Sequence, residues 1–410
     1  MAAEIRAATV PVVDDLERVA VAPDVIHGHH HTVTLEALLR FPGVPAIFFV
    51  HDWSGWPDEP LRFPRVALYA PVDATNADRV VLEHGIPPER VRLVLNAVDL
   101  ERFRPRDALP PRPARALVFS NYASEADLLP AVREACRRTG LELAVVGEAA
   151  GNPASRPEDL LGGFDVVFAK ARCALEALAV GAAVVLCHGG SMGPLVTAAD
   201  FDRLRSLNFG RRAIDRRLTV EGLVAEIRRY DAADAARVAE RVRAEASLEG
   251  MLDRLVALYE EARAIPLAAG AGTEAAATAS YLRRWAPQFH ELRAAHRQAR
   301  EQAVQLVELD AERSALAARL ALVTAELDPL GVQGADGDPQ RVAAELATVR
   351  ERLAAADAEL ADTRSELRHA RELLERVTGT FTWRWRERLL RWGFLRAVHR
   401  WWRSAGRRSR

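Results

Sequence analysis

The chain has 410 residues, 49% of them apolar and 28% charged, with a formal net charge of -1. At roughly 150 residues per domain this length predicts two or three structural units, and the balance is that of a soluble, core-forming chain. Collagen, a wholly disordered polymer and a polytopic membrane protein are excluded, because the longest apolar runs, Val44 to Val50 and Ala177 to Cys187, fall short of the roughly 18 residues that a bilayer span requires. Three cysteines, Cys136, Cys173 and Cys187, are too few for a disulfide framework, and no C-x-x-C pair suggests zinc. A reducing, cytosolic setting is expected, and the first residues lack the basic-then-apolar profile of a signal peptide.

The near-zero net charge is a cancellation. Residues 382 to 410 hold ten Arg and one Glu, a local +9, which leaves -10 on the rest of the chain. Of the 56 basic residues all but Lys170 are Arg, so the exception is conspicuous.

In chain order, short apolar or β-branched runs recur at Asp24 to His27, Ala46 to Val50, Val66 to Tyr69 and Val91 to Leu95. Helix-like stretches lie between them, at Thr34 to Arg40 and Asn76 to His84. Continuous apolar strands alternating with helices predict a parallel sheet covered on both faces. The first α/β unit is assigned to residues 1–104. Residues 105–115, rich in Pro and Arg, read as a linker. A second alternation has strands at Ala116 to Ser120, Leu143 to Gly147, Asp165 to Phe168 and Ala183 to Cys187, with helices including Ala126 to Thr139 and Cys173 to Val180. It makes a second α/β unit over 116–265.

Residues 266–280 are low-complexity Ala, Gly, Ser and Thr and read as a flexible connection. Beyond it, Val342, Leu346, Val349, Leu353, Ala356, Leu360, Thr363, Leu367, Ala370, Leu374 and Val377 step by four and three. Leu309, Leu316, Leu320, Val323 and Leu327 keep similar spacing. Such heptads predict a coiled coil over 281–378 with a Gly/Pro/Asp break at 328–339. Two chains pairing and two helices folding back as a hairpin are both compatible with that break.

Several of these segments resemble the family 4 retaining glycosyltransferases. Asp24-Val-Ile-His-Gly-His29 is similar to that family's "DVIHxH" strand end, and Val44 to Asp52 to its strand ending in "HD". Asn96-Ala-Val-Asp-Leu-Glu-Arg-Phe103 resembles its "NGVDxxRF" crossing segment. Arg172 to Gly181 followed by Ala183-Val-Val resembles "EAMAxGxPVV", and the loop Gly189-Gly-Ser-Met-Gly193 comes next, as in the family. The resemblance covers about residues 20 to 265. The resemblance implies an α/β fold of two Rossmann-like domains of GT-B type, with a nucleotide sugar on the C-terminal one and an acceptor facing the N-terminal one. Every motif lies at the carboxyl end of a predicted strand, where open α/β sheets bind ligands.

The resemblance also implies roles. Glu176 matches the Glu that accepts hydrogen bonds from the ribose hydroxyls, a diol suiting the two oxygens of a carboxylate; a carboxylate near a helix N-terminus is the plain alternative. Gly189, Gly190, Ser191 and Gly193 would bring backbone N–H groups to the diphosphate ahead of a helix, or form only a turn. His51 matches a His beside the transferred sugar and its phosphate, in an orienting or hydrogen-bonding role. Asp52 and His29 would lie on the acceptor side; a capped strand end is the alternative for the His51–Asp52 pair. Because strand residues alternate faces, at most two or three of His27, His29, His30 and His31 converge, with no acidic or Cys partner nearby in sequence. No metal and no cofactor beyond the nucleotide-sugar substrate is expected.

Three departures from the family pattern stand out. Phe168 occupies the place of the family's first Glu. No Arg or Lys occurs in Ser120 to Glu125, where the family neutralises the diphosphate. A leaving nucleoside diphosphate needs cationic or N–H stabilisation, and Lys170 and Arg172 are the candidate substitutes, with an ordinary solvated pair as the alternative. Finally, about 23 residues precede Asp24, without the opening strand and Gly-Gly loop of the family, so the first domain is expected to be incomplete. A late start, a split protein and a degenerate half-enzyme are all open readings.

The tail 382–410 carries five of the eight Trp, and Trp385, Leu389, Trp392, Leu395, Val398 and Trp402 fall at helical spacing among Arg residues. This predicts a basic amphipathic helix at an anionic membrane surface; single-stranded nucleic acid and a packed structural helix are weaker alternatives. The sequence as a whole reads as a cytoplasmic, membrane-peripheral glycosyltransferase acting on a lipid-linked or surface glycan. It would form a homo-oligomer through the coiled coil and have no nucleic-acid partner. A non-catalytic adaptor derived from such an enzyme, or a half-enzyme needing a partner chain, is the alternative.

Overall fold

The computed structural model describes residues 12, 13, 15–267, 270–327 and 339–378. The described residues up to 274, apart from 55–57, make one compact unit; 55–57 and those from 275 onward make another.

The first unit is mixed α/β and holds two sheets. Strand β1 (Ile26–His29) leads into helix α1 (His31–Arg40), and β2 (Ala46–Val50) and β3 (Val66–Pro71) follow. The three strands are parallel in the order β1-β2-β3. Both β2 and β3 are buried along their whole length, as expected of strands covered on two faces. After β3 come the short helix α2 (Ala74–Asp78) and a wide turn, Arg79–Glu83. The fourth strand expected at Val91 to Leu95 does not form. Val91 makes one parallel bridge to Tyr69, with Arg92 N–H bonded to the Tyr69 carbonyl and Val94 N–H to the Pro71 carbonyl. From Asn96 the chain leaves the sheet: Val98 pairs instead with Ser247.

The second sheet is built from β4 (Arg115–Phe119), α3 (Leu129–Thr139), β5 (Glu142–Val146), α4 (Glu158–Leu161), β6 (Val166–Ala169), α5 (Ala171–Val180), β7 (Ala183–His188) and β8 (Ser191–Leu195). Then come α6 (Phe201–Ser206), β9 (Arg216–Arg217), α7 (Val220–Ile227), α8 (Ala232–Glu245) and α9 (Leu248–Ala264). The strand order is β5-β4-β6-β7-β8-β9, parallel through β7, with β8 and β9 antiparallel. Apolar cores line both faces. Residues 105–114 carry no helix or strand but are tied down: Asp165 accepts from Arg106 Nη2 at 3.0 Å and from Ala114 N–H at 2.8 Å, and the Tyr230 hydroxyl donates to the Pro110 carbonyl.

The last helix of this unit, α9, returns to the first sheet. Leu258 and Ala262 join Ile47, Phe49, Leu68 and Val94 in one core. The chain then enters a long helix, α10 (Ala271–Leu327), so 271–280 is helical and not the flexible connection its composition suggested. Its first turn is anchored, because Glu274 makes a two-point ion pair (2.7 and 2.9 Å) with the fully buried Arg65, whose other bonds go to the carbonyls of Leu38, Phe41 and Val44. A buried guanidinium requires such pairing.

The second unit contains the rest of α10 and α11 (Pro339–Thr378). Ion pairs Arg319–Glu345, Arg352–Glu312 and Arg313–Asp357, with the Gln302–Glu366 bond, run in opposite sequence directions. The two helices therefore fold back as an antiparallel hairpin. Leu309, Leu316 and Val323 of α10 and Val349, Ala356, Leu360, Thr363 and Leu367 of α11 are buried. These are the heptad positions, and a helix of the same chain covers them, so the homo-oligomer expected through this seam is not required to bury it. Within this unit Trp56 packs on Trp285 and Phe289 at 5.5 and 5.9 Å. Among the described residues no helix is long and apolar enough to cross a membrane. The basic tail 382–410 lies outside the described residues.

Candidate functional site

Two clusters of side chains collect at the carboxyl ends of the strands. The first is imidazole-rich. Parallel register sets His27 beside Ile47 and His29 beside Phe49, so His27, His29, Phe49 and His51 share one face of adjacent strands. His27 stacks on Phe49 at 3.8 Å, and its Nδ1 lies 2.6 Å from the Tyr259 hydroxyl of α9. His29 stacks on His51 at 4.7 Å, with Nδ1 and Nε2 of the two rings 2.6 Å apart. Desolvation comes first, and repulsion from neighbouring imidazoles second, in lowering His27 and His51 to about 3 and His29 to about 4. All three are neutral at pH 7. A neutral pair sharing one proton orients and hydrogen-bonds, but it supplies no standing positive charge to a phosphate.

Asp52 spends carboxylate capacity on its own turn, accepting from Ser54 N–H at 2.8 Å and Ser54 Oγ at 3.1 Å, while its carbonyl accepts from Arg79 Nη1. A residue that the sequence did not single out is Asp58. It is 3% exposed and 3.7 Å from His30 Nε2. Burial, then Asp52, pushes its carboxyl up to about 7 against the opposing pull of Arg79. Its neighbours belong to different strand ends, so no local motif announces it. Among the described residues no group of three or more His, Cys, Asp or Glu is placed to hold a metal ion.

The second cluster surrounds the ends of β4, β6 and β7. Lys170, the residue before α5, points its ammonium over the Tyr122 ring at 5.4 Å, and Tyr122 meets His188 edge-on at 5.7 Å. His188 Nδ1 is buried without a hydrogen-bond partner among the described residues. Desolvation, then the charge of Lys170, brings His188 down to about 4. Arg211, in the turn Arg211–Ala213 ahead of β9, lays its guanidinium over Trp53 at 4.7 Å, so this turn meets the segment that follows β2.

The other sequence candidates are placed as follows. Glu176 lies in the middle of α5, its side chain 14% exposed, and pairs at 3.5 Å with Arg172; burial raises its pKa. Arg172 and Lys170 thus serve different neighbours. The loop after β7 does not precede a helix. Gly189 and Gly190 form the turn of a β7–β8 hairpin, with His188 paired to Ser191 in antiparallel register, so no helix end adds partial charge there. Gly193 sits inside β8, where a Cβ would lie 2.2 Å from the Ala213 carbonyl oxygen. Its glycine is demanded by close backbone packing.

Comparison with known proteins gives the context. The Glycosyltransferase Family 4 model matches residues 7–102, a stretch that takes in β1 to β3 and most of the crossing segment. No curated protein matches the chain. Solved structures do match: a glycosyltransferase from Rickettsia africae ESF-5, 12% identical, covers 65% of this chain and 80% of its own with a TM-score of 0.42. The GtfA/B complex is 12% identical over 60% of this chain and 59% of that one, with a TM-score of 0.38. The lipopolysaccharide outer core galactosyltransferase WaaB, in its apo form, is 14% identical over 54% and 75%, with a TM-score of 0.32. The part of this chain that carries the imidazole cluster is thus similar to Glycosyltransferase Family 4.

Proposed function

We propose that the chain is a retaining glycosyltransferase that moves a sugar from a nucleotide-sugar donor to a lipid-linked or surface-glycan acceptor. The observation that carries this reading is that the segment matching the family brings His29, His51 and Trp53 to the strand ends, where Arg211, from the turn ahead of β9, lies over Trp53. Glu176 would take the ribose hydroxyls, its carboxylate exchanging Arg172 for the diol. His51 would orient the transferred sugar, and Asp52 and His29 would border the acceptor. The basic aromatic tail would hold the enzyme at the inner face of an anionic membrane.

Calorimetric titration of the protein with UDP and GDP tests the donor reading. One nucleotide binds, and Glu176→Ala weakens it by roughly tenfold or more through loss of charge-assisted hydrogen bonds. Unchanged affinity in the variant would remove Glu176 from the donor site. A second reading, a non-catalytic adaptor, is favoured by Phe168 at the place of the family's first Glu and by the pairing of Glu176 with Arg172. Absence of binding by either nucleotide would favour it.

A further inference from the structure

The family-like charge expected just after β4 is missing from this chain, and the candidate pair Lys170 and Arg172 is split between different neighbours. Lys170, which follows β6, is joined instead by Arg211, from the turn Arg211–Ala213 ahead of β9. The Lys170 ammonium lies over Tyr122 and the Arg211 guanidinium over Trp53. Neither makes an ion pair among the described residues. Arg102, Arg106, Arg133, Arg172, Arg212 and Arg216, by comparison, sit on carboxylates. An aromatic face positions a cation without cancelling its charge.

The charge of Asp52 acts on Lys170 without forming an ion pair with it, and the nearby acids are hydrogen-bonded within their own turns. Asp127 Oδ1 takes Ser124 N–H, Ser124 Oγ and Leu128 N–H, and Asp52 takes Ser54. His188 adds an unpartnered, buried Nδ1 beside Tyr122.

The backbone is arranged to present these two groups. Among the described residues the non-glycine positions with positive φ are His30, Ala171, Asn208 and Phe209. Ala171 follows Lys170, and Phe209 stands two residues before Arg211. One hydrogen bond, Ala171 N–H to the Phe209 carbonyl at 2.9 Å, ties the two strained turns together. Left-handed backbone at ordinary residues persists only where the surroundings enforce it, and it concentrates at functional sites.

We infer that Lys170 and Arg211 together form the clamp for the diphosphate of the donor, replacing the basic pair missing after β4, and that Arg172 has no part in it. The inference deepens the donor reading above and rests on it for the identity of the ligand. Two cations held over aromatic rings, one directly after β6 and one from the turn Arg211–Ala213 ahead of β9, match the charge of a diphosphate and would stabilise it as a leaving group.

The test is calorimetry on the full chain with inorganic pyrophosphate, UDP and GDP as separate probes, using Lys170→Met, Arg211→Gln, their double variant and Arg172→Gln. Circular dichroism melts check that each variant folds, and Arg211→Lys covers the case in which Arg211→Gln does not. Pyrophosphate and one nucleotide are expected to bind wild type. Lys170→Met and Arg211→Gln should each weaken both by ~10-fold, while Arg211→Lys stays within ~3-fold for both and Arg172→Gln within ~3-fold for pyrophosphate. Nucleotide binding indifferent to Lys170 and Arg211 would overturn the clamp and leave the donor reading standing. Pyrophosphate binding that needs both cations, with no added affinity from a nucleoside, would keep the clamp and overturn the donor reading. Failure of every probe to bind wild type would overturn both.

Discussion

His27 couples sequence, packing and pH most directly. Its ring is pinned between Phe49 and the Tyr259 hydroxyl, where desolvation, then His29, lowers it to about 3. An unfolded His takes its proton near pH 6.5. The folded chain therefore loses stability as pH falls from about 6.5 toward 3, because over that window the unfolded state binds more protons. Asp58, raised to about 7, acts in the opposite sense over part of the same range, so a variant comparison isolates the histidine. In His27→Phe, which keeps an aromatic ring on Phe49, the fall of melting temperature between pH 6.5 and 4 is shallower than in wild type. Parallel melting curves in the two proteins would rule this out. The imidazoles themselves were legible in sequence as strand-end residues. Their mutual contacts were not, since these depend on the register between β1 and β2 and on the return of α9.

At the scale of elements, the buried strands were readable because parallel strands covered on both faces are continuous apolar runs. The failures have local causes. Val91 to Leu95 has strand composition, yet its pairing with β3 ends when the chain leaves to reach Ser247. The segment 271–280 has linker composition, yet Glu274 reaches the buried Arg65 and the helix starts there. Heptads specified the apolar seam of α10 and α11 but not its occupant, as either another chain or the same chain satisfies the same spacing. The cross-helix pairs settle this in favour of one chain. Unfolding of the helical signal should accordingly be independent of protein concentration over a roughly 50-fold range, whereas an intermolecular coil would melt higher at higher concentration.

For the whole first unit, a set of polar bonds joins its two halves beside the apolar packing of α9. Asn208 Nδ2 donates to the Val72 carbonyl at 3.0 Å, and Asn208 Oδ1 accepts from Asn96 N–H at 3.3 Å and Arg205 Nη1 at 3.0 Å. Arg205 Nη2 donates to the Asn96 carbonyl, and Arg212 pairs with Asp78 at 2.6 Å. Asn is among the residues that tolerate a φ of +55° best, so this position combines a backbone and a side-chain demand. Replacing Asn208 by Ala should cost roughly 2–3 kcal/mol in urea unfolding, from left-handed strain and from buried groups left unpaired. A loss below about 0.5 kcal/mol would show that other contacts hold the sheets together.

Sequence by itself determined the alternation of apolar strands with helices, the heptad seam, the order of the family-like motifs and the lone lysine, because these are properties of spacing and residue type along one chain. Tertiary structure decided which neighbour each cation takes. Lys170 stands over Tyr122 and Arg211 over Trp53, while Arg172 turns to Glu176. The physical reason is that the groups around a charge decide how far it is available to a ligand, and what lies nearby is set by chain segments far apart in sequence.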